Sequence, residues 1–181
     1  HSCRLAAMMF SRITDFPRML WLLAVALLIT MDQASKSYFS NMIPLEAAVE
    51  VTEWFNLTHR LNAGAAFSVL SDAGGWQRYF FGLFSAFVVT GISFVCLFRK
   101  ASPLERSAGA AVVAGGAGNL IDRIQIGAVV DFLDFHLRGL HWPAFNLADV
   151  FVVGAVIAWV LLSPKALGQP PSDHTDSKAG R

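Results

Sequence analysis

Four aspartates of this sequence lie inside or beside apolar stretches, where ionisable side chains are costly and therefore mark candidate functional sites. They are Asp32, Asp122, Asp131 and Asp149. Carboxyl groups can hydrolyse a bond as a pair: an ionised one takes a proton from water, and a protonated one gives a proton to the leaving group. The sequence therefore contains the residue types for acid–base hydrolysis.

Other hydrolytic chemistries lack their motifs. There is no H-E-x-x-H sequence, and the five histidines are scattered, so a zinc protease is unsupported. Ser35 and Lys36 are adjacent rather than set in a known Ser/Lys arrangement, and neither a G-x-S-x-G elbow nor a Walker A loop occurs. We expect a reaction that uses no metal and no cofactor.

Each acid also has a purely structural interpretation. Asp32 and Lys36 are four residues apart, on one face of a helix, and a structural ion pair is favoured there over a catalytic one. Asn146 and Asp149 have the spacing of a capping box, and Asp131 could be an exposed loop acid. From the residues alone, the functional role of Asp131 and Asp149 stays open.

The elements that must position these acids are apolar helices. Hydrophobic residues make up 55% of the 181 residues and charged ones 15%, whereas a soluble domain carries about 25% charged residues. Four segments have the length and apolar character of membrane spans: 17–39, 79–98, 104–121 and 146–162. We predict an all-α membrane protein, a bundle of four transmembrane helices with a small extracytoplasmic β element and a periplasmic loop.

The distribution of lysine and arginine predicts the topology. These residues gather before the first span, between the second and third, and after the fourth, so the positive-inside rule places both termini in the cytoplasm. The predicted organisation is an N-terminal cytoplasmic flank or extraneous remnant (1–16), a membrane domain (17–164) with outer loops 40–75 and 122–145, and a disordered cytoplasmic tail (165–181). The net charge of +1 gives no reason to expect a nucleic-acid partner.

The first outer loop has a strand-like pattern. Val49, Val51, Phe55 and Leu57 alternate with polar residues, and the pattern breaks only around 53–54. A period of two is typical of a strand with one apolar face. We therefore expect a small sheet on the outer membrane surface.

Five motifs, in order along residues 32–149, resemble those of lipoprotein signal peptidases, the signal peptidase II family. They are Asp32-Gln33-Ala34-Ser35-Lys36, Asn62-Ala63-Gly64-Ala65-Ala66-Phe67, Gly118-Asn119-Leu120-Ile121-Asp122-Arg123, Val129-Val130-Asp131-Phe132 and Phe145-Asn146-Leu147-Ala148-Asp149. The stretch before Asn119 departs slightly from the family's glycine spacing, but its residues are all small, so close helix packing should survive.

The resemblance implies an aspartic endopeptidase of the bacterial inner membrane. It would remove the signal peptide from diacylglyceryl-modified prolipoproteins by cutting just before the lipidated cysteine. Apart from the resemblance, we expect a monomer among membrane lipids. Asp131 and Asp149 would be the catalytic pair. The supporting residues would be Asn62, Gly64, Asn119, Asp122, Arg123 and Asn146, with Asp32 and Lys36 as a structural pair.

Two other functions remain possible from the residues. A small transporter or proton pathway would also use membrane acids, but its acids are expected near the bilayer midplane, on broken helices in repeated halves. An assembly protein without catalysis would use the aspartates only as helix caps. Cleavage of a lipidated substrate by the purified protein would separate the three.

Overall fold

The computed structural model describes residues 2–64 and 76–163, with side chains from Pro17 onward. The helices are α1 (Ser2–Met42), α2 (Gln77–Phe98), α3 (Pro103–Ile126) and α4 (Leu147–Leu162). The strands are β1 (Ala48–Thr52), β2 (Phe55–Asn62), β3 (Val129–Leu137) and β4 (Leu140–His141). The predicted tail and the part of the first outer loop at 65–75 lie outside the described residues.

Helix α3 lies at the centre and packs against α1, α2 and α4. Its glycines permit this, because a Cβ at Gly115 would collide with the Ala148 carbonyl oxygen and one at Gly118 with the Asp32 carboxylate. Small residues allow such close approach between helices. The small residues before Asn119 thus bring the neighbours of α3 into direct contact with its backbone.

The apolar surface of the helices indicates a membrane protein. Segments Pro17–Met42 and Gln77–Phe98 are long and apolar enough to cross a bilayer, while the apolar helix α4 has 16 residues. Few residues of the two long segments are buried, and side chains such as Phe87, 78% exposed, point outward. Large apolar side chains on an outer surface fit a lipid environment.

Local sequence sets the helix ends. Ser102 and Glu105 form a capping box at the start of α3, with Pro103 as the first helical residue. Gly127, with φ of 77°, ends α3 in the left-handed conformation that glycine tolerates best. Helix α3 therefore continues to Ile126, five residues past the predicted end of its span.

The sheet contains the predicted strands and two more. Strands β1 and β2 pair antiparallel across a turn at 53–54, where the alternation breaks. Strand β3 then pairs antiparallel with β2, and β4 with β3, so the order is β1-β2-β3-β4. The segment 122–145, expected to be a loop, is largely the end of α3 followed by these two strands.

The sheet is fixed to the helices at the end where α3 gives way to β3. The ring of Phe132 stacks on that of Phe39 in α1, with centroids 4.6 Å apart. Asn62, the last residue of β2, pairs with Val129, the first of β3. The beginning of β3 therefore lies beside the last turns of α1 and α3.

Candidate active site

Asp131 is the third residue of β3, and its side chain is buried, with 3% of its surface exposed. The side-chain nitrogen of Asn62 donates to Asp131 Oδ2 at 3.0 Å. The side-chain nitrogen of Asn146 donates to Asp131 Oδ1 at 2.7 Å. Asp131 is therefore a held, buried carboxyl rather than an exposed loop acid.

Asp149 lies in the first turn of α4. Asn146 is the N-cap: its side-chain oxygen accepts from the Asp149 backbone nitrogen, and Asp149 Oδ2 accepts from the Asn146 backbone nitrogen. This is the capping box that the spacing predicts. Asn119 donates to the other oxygen, Asp149 Oδ1, at 2.8 Å, so the carboxyl is also held from α3.

Asn146 brings the two carboxyls to one site. Its fully buried side chain donates to Asp131, while its backbone nitrogen donates to Asp149. The same side-chain nitrogen lies 3.1 Å from Asn119 Oδ1. Two acids that are 18 residues apart in the sequence (149 − 131) therefore share one hydrogen-bonded network.

The environment of Asp131 changes its acidity. Burial raises the pKa of this carboxyl to about 7, against the lowering effect of the Asn62 hydrogen bond. The negative charge of Asp149 contributes to this rise, because two close like charges disfavour joint ionisation. Asp131 can thus keep its proton near neutral pH, as a general acid must.

A second layer of charge lies beneath the pair. Lys36 forms ion pairs with Asp32 Oδ2 at 2.8 Å and with Asp122 Oδ2 at 2.9 Å, and its ammonium also donates to Asn119 Oδ1 at 2.9 Å. All three charged side chains are almost fully buried. The Asp32–Lys36 pair predicted from the sequence is present, and it continues into Asp122 and the site.

The carboxylates of this layer hold the elements that carry the two acids. Asp32 Oδ1 accepts from the backbone nitrogen of Ala148 at 2.9 Å, in the first turn of α4. Asp122 Oδ2 accepts from the backbone nitrogen of Val130 at 3.1 Å, at the start of β3. Each carboxylate satisfies a buried backbone donor next to a candidate catalytic residue.

Gln33 belongs to the same layer, although sequence reasoning gave it no role. Its side-chain nitrogen donates to Asp122 Oδ1 at 2.9 Å and lies 3.2 Å from both Asp32 Oδ2 and the Gly118 carbonyl oxygen. The one feature of the sequence that could have indicated a role for Gln33 is its position next to Asp32 within an apolar segment. Its partners in α3 are more than 80 residues away in sequence, so no local pattern could identify them.

Arg123 and Gly64 lie at the edge of the site. Arg123 donates to the Asn119 carbonyl oxygen at 3.2 Å, and its guanidinium carbon is 5.8 Å from the ring centroid of Phe81. Its Nε atom is buried without a hydrogen-bond partner. Gly64, with φ of 103°, has its backbone nitrogen bound to Asn62 Oδ1 and faces the Phe81 ring so closely that a Cβ would lie 2.5 Å from it.

A groove leads from the acids along α3, between α2 and α4. Its upper cavity has a volume of about 250 Å³ and is lined by Asn119, Arg123 and Asp149 together with apolar residues of α2 and α4. Val112 also lines a second cavity of about 420 Å³, which extends to Trp159 and Lys100. The first cavity places Asp149 beside apolar surface between α2 and α4, where Phe84 and Val153 are exposed.

Within residues 17–64 and 76–163, no cluster of three or more His, Cys, Asp and Glu side chains has an arrangement that could hold a metal ion. Beneath the pair, the two carboxylates of Asp32 and Asp122 instead form ion pairs with the ammonium group of Lys36. The network of the candidate site is thus built from carboxyls, amides and one ammonium group.

Comparison with known proteins decides the family. Residues 24–164 match the family model for Signal peptidase (SPase) II. The chain belongs to the signal peptidase II family. A lipoprotein signal peptidase of Aeromonas hydrophila is 46% identical over 142 residues, which are 76% of this chain and 84% of that protein. One from Cellvibrio japonicus is 40% identical over 158 residues, which are 84% of this chain and 93% of that protein.

Solved structures support the same fold. A bacterial membrane enzyme determined by the in meso method at 2.3 Å resolution has a TM-score of 0.70 and 26% identity, covering 89% of this chain and 94% of that one. A second, at 1.9 Å, has a TM-score of 0.68 and 27% identity, covering 80% of this chain and 94% of that one. Signal peptidase II is thus a membrane enzyme with apolar helices, and the family resemblance of the five motifs is confirmed.

Proposed function

We propose that this chain is an aspartic endopeptidase that removes the signal peptide from diacylglyceryl-modified prolipoproteins, with Asp131 and Asp149 as its catalytic pair. The observation that carries the proposal is the shared contact of Asn146 with both carboxyls. Signal peptidase II acts in lipoprotein processing. In this proposal the cut falls just before the lipidated cysteine of the substrate.

The two carboxyls have different roles. Asp149, held by Asn119 and at the positive end of α4, is the ionised base that takes a proton from the attacking water. Asp131 is the protonated partner, because burial keeps its pKa near neutrality. It donates a hydrogen bond to the scissile carbonyl while the water oxygen bonds to the carbonyl carbon. The C–N bond then breaks, Asp131 gives its proton to the leaving nitrogen, and the carbonyl carbon becomes that of the new carboxyl group.

The supporting residues keep this pair in place. Asn62, Asn119 and Asn146 orient the carboxyl oxygens by hydrogen bonds. Arg123 lines the cavity beside Asp149, so its guanidinium can donate to a backbone carbonyl of the extended substrate. Asp32, Lys36 and Asp122 hold the starts of α4 and β3 from below.

The substrate enters sideways from the bilayer. The groove between α2 and α4 is open to the apolar outer surface and ends at Asp149, which suits a signal peptide that is still in the membrane.

The proposed topology has four membrane-crossing helices, one for each apolar segment. The distribution of lysine and arginine places both termini in the cytoplasm and the pair at the outer face of the inner membrane. The enzyme acts as a monomer in this proposal, since both acids come from one chain.

The arrangement argues against a transporter. The acids gather at one end of the helices, and the described parts of α2, α3 and α4 are continuous, whereas a transport site is expected near the midplane at broken helices. The aspartates also do more than cap helices. Asp131 accepts a hydrogen bond from Asn146, the N-cap of α4, and Asp149 accepts one from Asn119 of α3.

A cleavage assay tests the proposal. The purified full chain is incubated with a lipobox peptide carrying diacylglycerol, in the presence of a strong chelator, and the products are read by mass spectrometry. We expect cleavage before the lipidated cysteine by the parent protein and none by Asp131→Asn or Asp149→Asn. Glu50→Gln, which changes an exposed acid of β1, is the matched control and should cleave normally. Cleavage by either aspartate variant would remove that residue from the pair.

A further inference from the structure

A second groove lies on the other side of the α2–α3 contact, away from α4. It has a volume of about 680 Å³ and is formed by the first turns of α2 and the last turns of α3. Leu83 and Ile124, 73% and 75% exposed, stand on its two walls. Gly82, Ala86 and Leu120 form its apolar floor, and neither Asp131 nor Asp149 lines it. Neither proposed catalytic acid uses this groove, although Arg123, one of their supporting residues, lines it.

The groove is polar at one end only. Arg78, Tyr79, Arg123 and Gln125 line it there, at the end of the helices that carries the acid pair. Arg123 also lines the cavity beside Asp149. Arg78 contacts Tyr79 through its guanidinium, whose carbon is 4.5 Å from the ring centroid. No carboxylate among residues 17–64 and 76–163 forms an ion pair with Arg78. A guanidinium has five donor hydrogens, so most of those on Arg78 are available to a ligand.

The C-cap of α3 lies beside this guanidinium. Gly127 has no side chain, and a Cβ built on it would lie 3.5 Å from Arg78 Nη1. Its φ of 77° is the conformation that closes α3 at this level. Arg78 therefore extends from α2 across the mouth of the groove to the end of α3.

We propose that this groove binds one anionic glycerophospholipid of the outer leaflet, whose phosphate contacts Arg78 and whose acyl chains lie along Leu83 and Ile124. The cationic end and the apolar walls match the two parts of such a lipid. The diacylglyceryl group of a prolipoprotein is uncharged and fits the cationic end less well. The site depends on the chain lying in a membrane, and not on the identity of the catalytic pair.

Lipid retention tests the site. The full chain is purified in detergent, titrated with phosphatidylglycerol or with phosphatidylcholine of the same acyl chains, and bound lipids are counted by native mass spectrometry. The parent should retain one phosphatidylglycerol in preference to phosphatidylcholine. Arg78→Gln should weaken phosphatidylglycerol retention about tenfold, because it removes a charge-assisted hydrogen bond. Arg78→Lys, which keeps the charge, should retain more of it than Arg78→Gln.

Two further variants separate charge from shape. Arg99→Gln makes the same charge change on an exposed arginine at the other end of α2, and it should leave retention unchanged. Gly82→Leu should reduce the binding of both lipids, because the larger side chain fills the floor of the groove. A Cβ at this position would lie 3.8 Å from Leu120, an ordinary contact, so the variant should fold. Thermal unfolding without lipid shows whether each variant is folded.

Three results would overturn the site. The first is equal retention of the two lipids by the parent, and the second is an equal loss of phosphatidylglycerol in Arg78→Gln and Arg99→Gln. The third comes from the cleavage assay: if Arg78→Gln raises KM for the lipidated peptide about tenfold and keeps its phosphatidylglycerol, the groove holds the substrate's acyl chains instead. Because cleavage by the parent is measured separately, failure of the lipid site is distinguishable from failure of the peptidase assignment.

Discussion

The ammonium group of Lys36 lies 2.9 Å from the side-chain oxygen of Asn119, whose side-chain nitrogen donates to Asp149. The lysine fixes which end of the amide faces the carboxyl, since an ammonium can only donate and must meet the amide oxygen. The buried charge in α1 thereby sets the orientation of a donor in α3, and that donor holds an acid in α4.

Replacing Asn119 by alanine should lower kcat about tenfold to a hundredfold, because Asp149 loses a charge-assisted hydrogen bond that holds it for the attacking water. KM should change little, since the substrate's apolar contacts remain. Asn41→Ala is the control: that amide lies at the exposed end of α1 and donates only to Ser37. A kcat close to that of the parent would mean that Asp149 does not depend on Asn119.

The cleavage rate should fall as the pH rises through about 7. Burial raises the pKa of Asp131 to about 7, although the Asn62 hydrogen bond opposes this shift. Below that pH Asp131 keeps the proton that the proposed reaction needs, and above it Asp131 is ionised and no longer acts as the acid. Measuring kcat from about pH 5 to about pH 9 checks this alkaline limb. A rate that is constant across the range would exclude Asp131 as the protonated partner.

The stability of Asp131→Asn relative to the parent should increase with pH. The folded-state pKa of Asp131 is raised from 3.8 to about 7, so the folded protein binds this proton more tightly than the unfolded chain does. The parent therefore loses stability as the pH rises from about 4 to about 7, by on the order of a few kcal/mol, whereas asparagine has no proton to lose. Thermal unfolding at several pH values measures the difference, which a Glu50→Gln control should not show. A difference independent of pH would contradict the raised pKa.

Asp32→Ala should reduce stability and yield. The change leaves the Ala148 backbone nitrogen without its acceptor and removes one of the two carboxylates that pair with Lys36. Loss of a buried charged partner costs about 3 kcal/mol or more. Asp32→Asn keeps an acceptor for Ala148 and should be less harmful. If Asp32→Ala unfolds at the same temperature as the parent in detergent and yet fails to cleave, the pair has a chemical role instead.

His141→Gln should make the sheet more sensitive to acid. Burial acts to raise the pKa of Asp134, but hydrogen bonds from His141 and Asn56 outweigh it and hold that pKa below its usual value. An acid with a lowered folded-state pKa contributes stability above its unfolded value of 3.8, and this contribution is lost as the pH falls through the folded-state value. The variant should therefore denature at a higher pH than the parent when acid unfolding is followed by circular dichroism. Identical acid transitions would show that His141 does not stabilise Asp134.

Short-range patterns predicted what is local in this molecule. The Asn146–Asp149 spacing predicted the start of α4, and the alternation from Val49 to Leu57 predicted β1 and β2. Strand β3 was not predicted, because its partner β2 lies about 70 residues earlier and Asp131 interrupts its apolar residues. The contacts of Gln33 depend on the packing of α1 against α3, which no sequence period encodes. Family motifs located the candidate acids, but the layer beneath them became visible only in three dimensions.

The bond from Asp32 to the Ala148 backbone nitrogen joins the first helix to the last. During synthesis, α1 leaves the ribosome long before α4 does. Until α4 arrives, the partners of the Asp32 carboxylate among the described residues are Lys36 and Gln33, both in α1. The site therefore cannot assemble on a partly made chain. A nascent protein, or one truncated before Asn146, would carry Asp131 without Asp149, and with the proposed pair incomplete we expect it not to cleave.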